Sequence, residues 1–184
     1  MSVKIAVLGK MRSGKDTFAE PLINQHRFQH LKFSAGITGI IESCFPDVLE
    51  AGKPREHYQL IGQTLRQLDP AVWVNYLDRT YQWISGFSND VDMIITDVRQ
   101  PNEIQWCIAN GFTLVKLCCG SEIRKQRIID SGDQFEPDQF YHETESHISA
   151  VKADYTINSN CSIEELQKQA VEIYKEIKAK QEEQ

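Results

Sequence analysis

Residues 9–17 read Gly-Lys-Met-Arg-Ser-Gly-Lys-Asp-Thr and follow an apolar run at 3–8 that is typical of a buried strand. A glycine, four residues and then Gly14-Lys15 is the spacing of a phosphate-binding loop between a strand and a helix. Glycines let the backbone wrap closely around an anion, while successive N–H groups and the helix N-terminus point at it. The lysine can then reach the β- and γ-oxygens of a nucleoside triphosphate. We therefore expect nucleotide binding by Gly9, Arg12, Ser13, Gly14, Lys15, Asp16 and Thr17.

Asp16 departs from the usual form of this loop, in which a serine or threonine supplies a hydroxyl to Mg²⁺. A carboxylate is also a hard oxygen ligand that binds Mg²⁺ directly or through water. We expect Asp16 to contribute to a magnesium site, with Thr17 capping or assisting one residue later. Arg12 could bridge two phosphate groups, whereas Ser13 has a structural interpretation.

The net charge and the cysteine content limit the partners and the compartment that we expect for this protein. The 184 residues carry 20 Lys and Arg against 26 Asp and Glu, a formal charge of −6, so nucleic acid is not expected as a partner. Five cysteines include no C-x-x-C pair and no histidine at zinc spacing, which favours reduced thiols in a cytoplasmic protein. No signal peptide and no apolar run of membrane-spanning length is visible, so no membrane association is expected.

Short apolar runs alternate with helical patterns, which is typical of a parallel sheet with helices on both faces. The expected fold class is α/β, a three-layer sandwich with a five-stranded parallel sheet, in one domain over residues 1–184. The predicted strands are 3–8, 29–34, 91–97, 112–118 and 154–158.

Three local signals predict helix boundaries. Asp69-Pro70 predicts a helix with proline at its first position, and Ser162 to Glu165 reads as a capping box. Pro21 predicts a kink or an early end of the helix after the loop. The last helix is expected to bury one apolar stripe, formed by Ile163, Leu166, Ala170, Ile173 and Ile177.

Asp97 ends the most apolar predicted strand, where phosphate-loop enzymes place the carboxylate that holds the metal and its waters. Arg99 follows two residues on, so its side chain leaves the same face of an extended segment. Together they could serve Mg²⁺ and a phosphate, although an aspartate at a strand end can instead cap the next helix. Asn102 and Glu103 begin that helix and either fix the turn or touch a substrate.

Arg55, Gln59, Gly62 and Arg66 fall at i, i+4, i+7 and i+11, which is one stripe of a helix. Two arginines, an amide and a missing side chain form a surface that could admit an anionic ligand. A solvated charged face would give a similar pattern. The tryptophans occur at helical core spacing, so packing is their default role: Trp73, Trp83 and Trp106.

The polar segment 131–146 follows a predicted helix that bears Arg124 and Arg127. A flap behind arginines is what a phosphoryl-transfer site uses to exclude water. An ordinary surface loop is the alternative. His142 and His147 are interpreted as surface or capping residues.

These motifs together resemble the phage-type deoxynucleoside monophosphate kinases, which belong to the P-loop nucleoside monophosphate kinase superfamily. The loop alone is less specific, because phosphomevalonate kinases also show S-G-K-D. The similar segments are the S-G-K-D-T loop at 13–17, the R…Q…G…R…W helix pair at 55–73, the D-V-R-x-P-N-E block at 97–103, the H-x-x-E flap ending at 142–145 and the final strand at 154–158.

The resemblance implies transfer of a phosphoryl group from ATP, with Mg²⁺, to a deoxynucleoside monophosphate. It implies acceptor-binding helices at about 36–86 and a flap at about 121–146. Residues 36–39 and Gln100 depart from the family pattern, so the accepted base stays open. The implied roles are catalytic for Lys15, Arg99, Arg124 and Arg127, substrate-binding for Arg55, Gln59, Arg66, Trp73, Asp97 and Arg99, and metal-binding for Asp16 and Asp97.

Two other functions stay open. One is a P-loop kinase of another small phosphorylated acceptor, phosphomevalonate-like or dephospho-CoA-like. The other is a non-catalytic ATP-binding regulator, although that leaves the arginine stripe and Arg99 without a role. A GTP switch is disfavoured because no Asn/Thr-Lys-x-Asp segment occurs. The expected partners are small-molecule nucleotides, and homodimer formation is left open.

Overall fold

The fold is described by a computed structural model over residues 2–50, 54–88, 90–131, 148 and 150–183. A five-stranded parallel sheet has helices on both faces, as the sequence predicts. The spatial strand order is β2-β3-β1-β4-β5. The strands are β1 (Lys4–Gly9), β2 (Gln29–Leu31), β3 (Met93–Val98), β4 (Thr113–Cys118) and β5 (Tyr155–Asn158).

One described helix follows each strand except β2, after which four helices precede β3. They are α1 (Lys15–Asn24), α2 (Ala35–Cys44), α3 (Pro46–Glu50), α4 (Arg55–Leu68), α5 (Val72–Phe87), α6 (Pro101–Ala109), α7 (Ser121–Asp130) and α8 (Ile163–Glu182).

The central strand β1 determines where the phosphate-binding loop emerges. It pairs in parallel with β3, where Ile5 lies opposite Ile94, and with β4, where Val7 lies opposite Val115. Ligands of open parallel sheets bind beyond the carboxyl ends of the strands, where neighbouring connections leave in opposite directions. The loop after Gly9 therefore begins at the edge of the sheet where such a site is expected.

The chain falls into two compact units, Met1–His30 with Asn89–Gln184, and Leu31–Ser88. In the first unit, α1 and α8 bury one face of the sheet, with Phe18 and Leu22 packed in the same cluster as Leu166. In the second unit, α2, α4 and α5 surround a smaller core at Ile37, Ile41 and Trp73. The assignment of residues 36–86 to acceptor binding, within a single domain, stays a prediction.

Several predicted boundaries are wrong by a few residues. The strand expected at 29–34 ends at Leu31, because the chain turns at Lys32, whose carbonyl accepts the Ala35 N–H at 3.1 Å. The helix expected to start at Pro70 begins at Val72 instead. Asp69 still organises that start, since its Oδ1 accepts the Ala71 N–H at 2.8 Å.

Helix α1 continues past Pro21 to Asn24, so the helix does not end at the proline. The Pro21 carbonyl accepts the Gln25 N–H at 3.0 Å, which shows helical hydrogen bonding beyond the ring. At the start of α8, Ser162 Oγ accepts the Glu165 N–H at 3.2 Å, as the capping prediction requires. Ile163 is 61% exposed, so it does not join the buried stripe that the other four residues form.

Candidate active site

The phosphate-binding loop closes tightly around its own backbone. Gly14 has φ 93°, a left-handed conformation that favours glycine, and it is the residue from which α1 starts. At Gly9 a side chain has no room, because a Cβ there would collide with Ser13 Oγ and lie 3.2 Å from the Leu117 carbonyl. Both glycines that define the motif are therefore required by the shape of the loop.

Ser13 contributes a buried hydroxyl to the inside of the loop. Its Oγ is inaccessible to water and has no hydrogen-bond partner among the residues that the structure describes. A buried hydroxyl left without a partner costs about 1–3 kcal/mol. That cost would be offset if an oxygen of a bound phosphate accepted the Ser13 hydroxyl.

Lys15 holds its ammonium group at the loop. Its side chain is only 9% exposed, and Nζ donates to the carbonyls of Gly9 at 2.7 Å and Lys10 at 2.9 Å. The positive charge therefore lies at the loop whose N–H groups and glycines suit an anion. Binding of phosphate oxygens by Lys15 stays a prediction.

A second set of predicted site residues, Asp97 and Arg99, lies at the end of β3 and directly after it. Asp97 is half-buried and Arg99 is exposed. The buried Glu103 fixes the turn between them and α6, because its Oε2 accepts the N–H groups of Arg99 at 2.7 Å and Gln100 at 2.9 Å. Gln100 is the capping residue of α6, so the alternative in which Asp97 caps this helix is wrong.

Asp16 is exposed at the first turn of α1, and its Oδ1 accepts a hydrogen bond from Thr96 Oγ1 at 3.1 Å. Thr96 is buried on β3, and its Oγ1 also lies 2.9 Å from His30 Nε2. Sequence reasoning missed both the threonine that bonds to this carboxylate and the histidine that bonds to the threonine. The available signal was Thr96, a hydroxyl in an otherwise apolar strand directly before Asp97.

The two arginines of α7 contact the loop through its backbone. Arg124 is buried and donates from Nη1 to the Met11 carbonyl at 3.3 Å. Arg127 donates from Nη1 to the Arg12 carbonyl at 3.2 Å and from Nη2 to the Ser159 carbonyl at 2.8 Å. In these positions both guanidinium groups brace the loop, and their catalytic role stays a prediction.

Several predicted flap residues cannot be placed. Residues 132–147, with His142, His147 and the H-x-x-E segment, lie outside the described residues. Arg12, inside the loop, donates from Nη2 to Ser131 Oγ at a distance of 2.9 Å. Ser131 is the described residue directly before that range.

The helical unit Leu31–Ser88 carries the predicted acceptor residues on α4. Arg55 and Arg66 are half-buried and Gln59 is exposed. Gly62 is buried, and a Cβ there would lie 3.2 Å from Ile37 Cδ1, so the missing side chain allows close packing against α2. Trp73 is also buried and donates from Nε1 to the Gly62 carbonyl at 3.2 Å.

Asp16 and Asp97 are the two carboxylates that the sequence predicts for magnesium binding. Among the described ranges no group of three or more His, Cys, Asp or Glu side chains could hold a metal by itself. Mg²⁺ is commonly held by one or two carboxylates together with substrate phosphates and water. Asp16 and Asp97 fit that pattern.

Cys107 of α6 lies beside this carboxylate-rich strand end. Burial raises the pKa of the Cys107 thiol strongly, and the negative charges of Glu103 and Asp97 raise it further. The thiol is therefore neutral, which suits a packed side chain and not a nucleophile.

None of the helices in the described parts of the chain is long and apolar enough to span a bilayer.

Comparisons with known proteins agree with this architecture. No family model matches the chain, and no curated protein matches its sequence. A sugar kinase from Janibacter is 15% identical with a TM-score of 0.61, and the alignment covers 93% of each chain. The chain has the fold of P-loop kinases.

Two other P-loop kinases share this fold over nearly the full length. A shikimate kinase from Acinetobacter baumannii, solved with shikimate, is 16% identical with a TM-score of 0.58, covering 98% of this chain and 95% of its own. A dephospho-CoA kinase from Campylobacter jejuni is 15% identical with a TM-score of 0.58, covering 96% and 98%. At these identities the likeness concerns the fold, and the acceptor has to be argued from the residues.

Proposed function

We propose that the protein transfers the γ-phosphoryl group of ATP to the phosphate of a deoxynucleoside or nucleoside monophosphate, giving the diphosphate. The observation that carries the proposal is the loop itself, which combines the Lys15 ammonium group, the left-handed Gly14 before α1 and the buried Ser13 hydroxyl. An anion with several oxygens is the ligand that such a set of donors suits.

The proposed reaction requires little from the protein beyond positive charge and correct alignment of the two substrates. The acceptor of the proposed reaction is a phosphate oxygen that is already an anion at neutral pH, so no general base is needed. Catalysis then consists of alignment and neutralisation of charge. Lys15 and the loop N–H groups hold the triphosphate, while Arg124 and Arg127 keep the loop in shape through the Met11 and Arg12 carbonyls.

The magnesium ion neutralises charge on the phosphoryl group in transfer. Asp16 and Asp97 are the residues that would hold it and its waters. The exposed Asp16 carboxylate has one oxygen bonded to Thr96, and the turn after Asp97 is fixed by Glu103. Both carboxylates belong to elements whose backbone is held in place.

The acceptor side rests on the resemblance of α4 and of residues 97–103 to the deoxynucleoside monophosphate kinases. Arg55 and Arg66 would bind the acceptor phosphate, Gln59 a base edge, and Arg99 the phosphate near the transfer site. A dephospho-CoA-like acceptor is the second candidate, since a dephospho-CoA kinase is among the structures with this fold.

A product assay separates these candidates. The purified protein is incubated with ATP, Mg²⁺ and each common nucleoside and deoxynucleoside monophosphate, and with dephospho-CoA, shikimate and phosphomevalonate as further acceptors. We expect formation of a nucleoside diphosphate, and we expect the Lys15→Ala variant to form it about 10²- to 10³-fold more slowly. Turnover of dephospho-CoA alone would favour the second candidate, and ATP binding without any turnover would favour a regulator.

A further inference from the structure

Asp16, Thr96 and His30 form a chain of hydrogen bonds that connects α1, β3 and β2. Thr96 Oγ1 lies 3.1 Å from Asp16 Oδ1 and 2.9 Å from His30 Nε2. The threonine is 2% exposed, while the aspartate side chain is exposed to solvent. This series of hydrogen bonds therefore connects a buried hydroxyl on β3 with a solvent-exposed carboxylate at the start of α1.

The chemistry of these groups fixes the direction of each hydrogen bond. An ionised carboxylate only accepts, so the single hydroxyl hydrogen of Thr96 points to Asp16. The same hydroxyl oxygen can then only accept from the imidazole. His30 consequently carries a hydrogen on Nε2 and donates it to Thr96.

This arrangement leaves the two oxygens of Asp16 in different situations. Oδ1 is engaged by Thr96, and Oδ2 has no hydrogen-bond partner in the part of the chain that the structure describes. The hydrogen bond at Oδ1 restricts rotation of the carboxylate and leaves Oδ2 for another ligand. A ligand oxygen fixed in this way loses less freedom when a cation or its water binds.

We propose that Thr96 and His30 are positioning residues that orient the Asp16 carboxylate toward the magnesium ion of Mg·ATP, an inference that rests on the proposed function. At position 16 the loop has an aspartate where a serine or threonine usually offers its hydroxyl to the metal. In this protein a hydroxyl on β3, that of Thr96, does not replace the missing metal ligand. It orients the Asp16 carboxylate, which stands in that position. Partners of this kind commonly change metal affinity by about 10- to 100-fold.

The first test compares Thr96→Val with Thr96→Ser. Valine keeps the shape of the side chain and removes the hydroxyl, whereas serine keeps the hydroxyl. Binding of Mn²⁺ to the protein saturated with a non-hydrolysable ATP analogue is measured by electron paramagnetic resonance, without any acceptor. We expect Thr96→Val to weaken Mn²⁺ binding about tenfold and Thr96→Ser to stay within about threefold of the original protein.

A second measurement distinguishes orientation of the carboxylate from a general structural role. Binding of the same analogue in the presence of a chelator depends on Lys15 and the loop backbone, which the substitution leaves intact. We expect the analogue affinity without metal to change less than about twofold in Thr96→Val. An equal loss with and without metal, or unchanged Mn²⁺ binding, would overturn the proposal.

His30 provides an independent pair of variants. Glutamine at position 30 keeps an N–H donor, and leucine removes it, so His30→Gln should retain tighter Mn²⁺ binding than His30→Leu. Nitrogen-15 spectra of the histidines should show the Nε2-protonated tautomer for His30 in the original protein and loss of that preference in Thr96→Val. Equal Mn²⁺ affinities for the two variants would contradict the proposal, and this pair decides the question if Thr96→Val does not fold.

These measurements are separable from the acceptor assay. They contain no acceptor, so failure to phosphorylate any nucleoside monophosphate would leave the Mn²⁺ result valid for whichever acceptor the protein uses. Absence of any effect of Mn²⁺ on analogue binding in the original protein would overturn the positioning role directly.

Discussion

The Arg127 guanidinium donates a hydrogen bond to the backbone carbonyl of Arg12, 3.2 Å away, in the middle of the phosphate-binding loop. The same guanidinium donates to the Ser159 carbonyl at 2.8 Å and lies 3.6 Å from Cys119 Sγ. One side chain of α7 thus connects the loop after β1 with the segments that follow β4 and β5. The loop conformation depends on this connection as well as on its own glycines.

Replacement of Arg127 by alanine should reduce both stability and ATP affinity. Hydrogen bonds that involve a charged group contribute about 1.5–3 kcal/mol each, and partial exposure lowers this, so we expect a loss of about 1–2 kcal/mol. Urea unfolding measures the stability, and fluorescence titration with a labelled ATP measures the affinity.

The control for Arg127 lies on the same helix. Lys125 makes an exposed ion pair with Glu122 at 3.1 Å, which contributes little. Lys125→Ala should therefore change stability by less than about 0.5 kcal/mol. Similar losses in the two variants would show that Arg127 does not brace the loop.

Gly9→Ala should damage the loop, since its Cβ would collide with Ser13 Oγ and crowd the Leu117 carbonyl. Overpacking of this kind costs about 1–3 kcal/mol. We expect most ATP binding to be lost, as measured by isothermal titration calorimetry, with a lower melting temperature in calorimetry.

Gly39→Ala is the matched control, because nothing lies within 4 Å of a Cβ at Gly39 in α2. Alanine in a helix is favoured over glycine by about 1 kcal/mol, so this variant should be as stable as the original or more so. A Gly9→Ala variant that binds ATP normally would contradict the described loop geometry.

Lys15→Ala should remove nearly all phosphoryl transfer while the fold is kept. Loss of one donor to a developing charge typically costs about 10²- to 10³-fold in rate. Steady-state kinetics with the best acceptor measures the loss, and circular dichroism checks the fold. Lys10→Ala is the control, because Lys10 offers the loop its carbonyl, which the substitution keeps. Wild-type turnover in Lys15→Ala would show that the site is misassigned.

The raised pKa of Cys107 predicts a loss of stability at alkaline pH. The unfolded thiol ionises near its ordinary value of 9.0, while burial keeps the folded thiol protonated. The folded state therefore binds more protons above pH 9, and the free energy of unfolding falls as pH rises, by at most about 1.4 kcal/mol per pH unit. Below pH 9 this contribution is constant.

Urea unfolding at pH 7, 8, 9.5 and 10.5 checks this prediction. Cys107→Ala should lose stability at pH 7 through lost packing, yet show a weaker decline above pH 9 than the original protein. Thiol reagents supply a second check at pH 8, where the exposed Cys118 should react quickly and the buried Cys107 only on unfolding. Identical pH dependence in both proteins would contradict the stated cause.

The parts of the fold that follow from local chemistry were predictable from the sequence. Alternating apolar runs predicted the five strands and the layered α/β architecture, and the Gly-x4-Gly-Lys spacing predicted the loop before α1. The loop precedes α1 as the motif predicts, with Gly14 left-handed and no room for a side chain at Gly9. Strand and helix ends were less predictable, since they depend on turns such as the one at Lys32.

Contacts between distant segments could not be predicted. His30 and Thr96 meet because β2 and β3 are neighbours in the sheet, and no local pattern encodes that pairing. Arg124 and Arg127 were predicted to serve phosphates, yet in the structure they bond to main-chain carbonyls. Every residue carries such a carbonyl, so side-chain identities give no sign of which ones are used.

The helical unit Leu31–Ser88 is one uninterrupted stretch of chain between β2 and β3. Residues of the loop, of β3 and of α7 that concern the nucleotide all fall outside that stretch. Under the proposed function, this stretch could therefore be exchanged or rebuilt while the phosphate-binding loop, β3 and α7 stay unchanged. If this stretch selects the acceptor, as the proposed function requires, then grafting another sequence between the same two strands is a direct route to a kinase with a new acceptor.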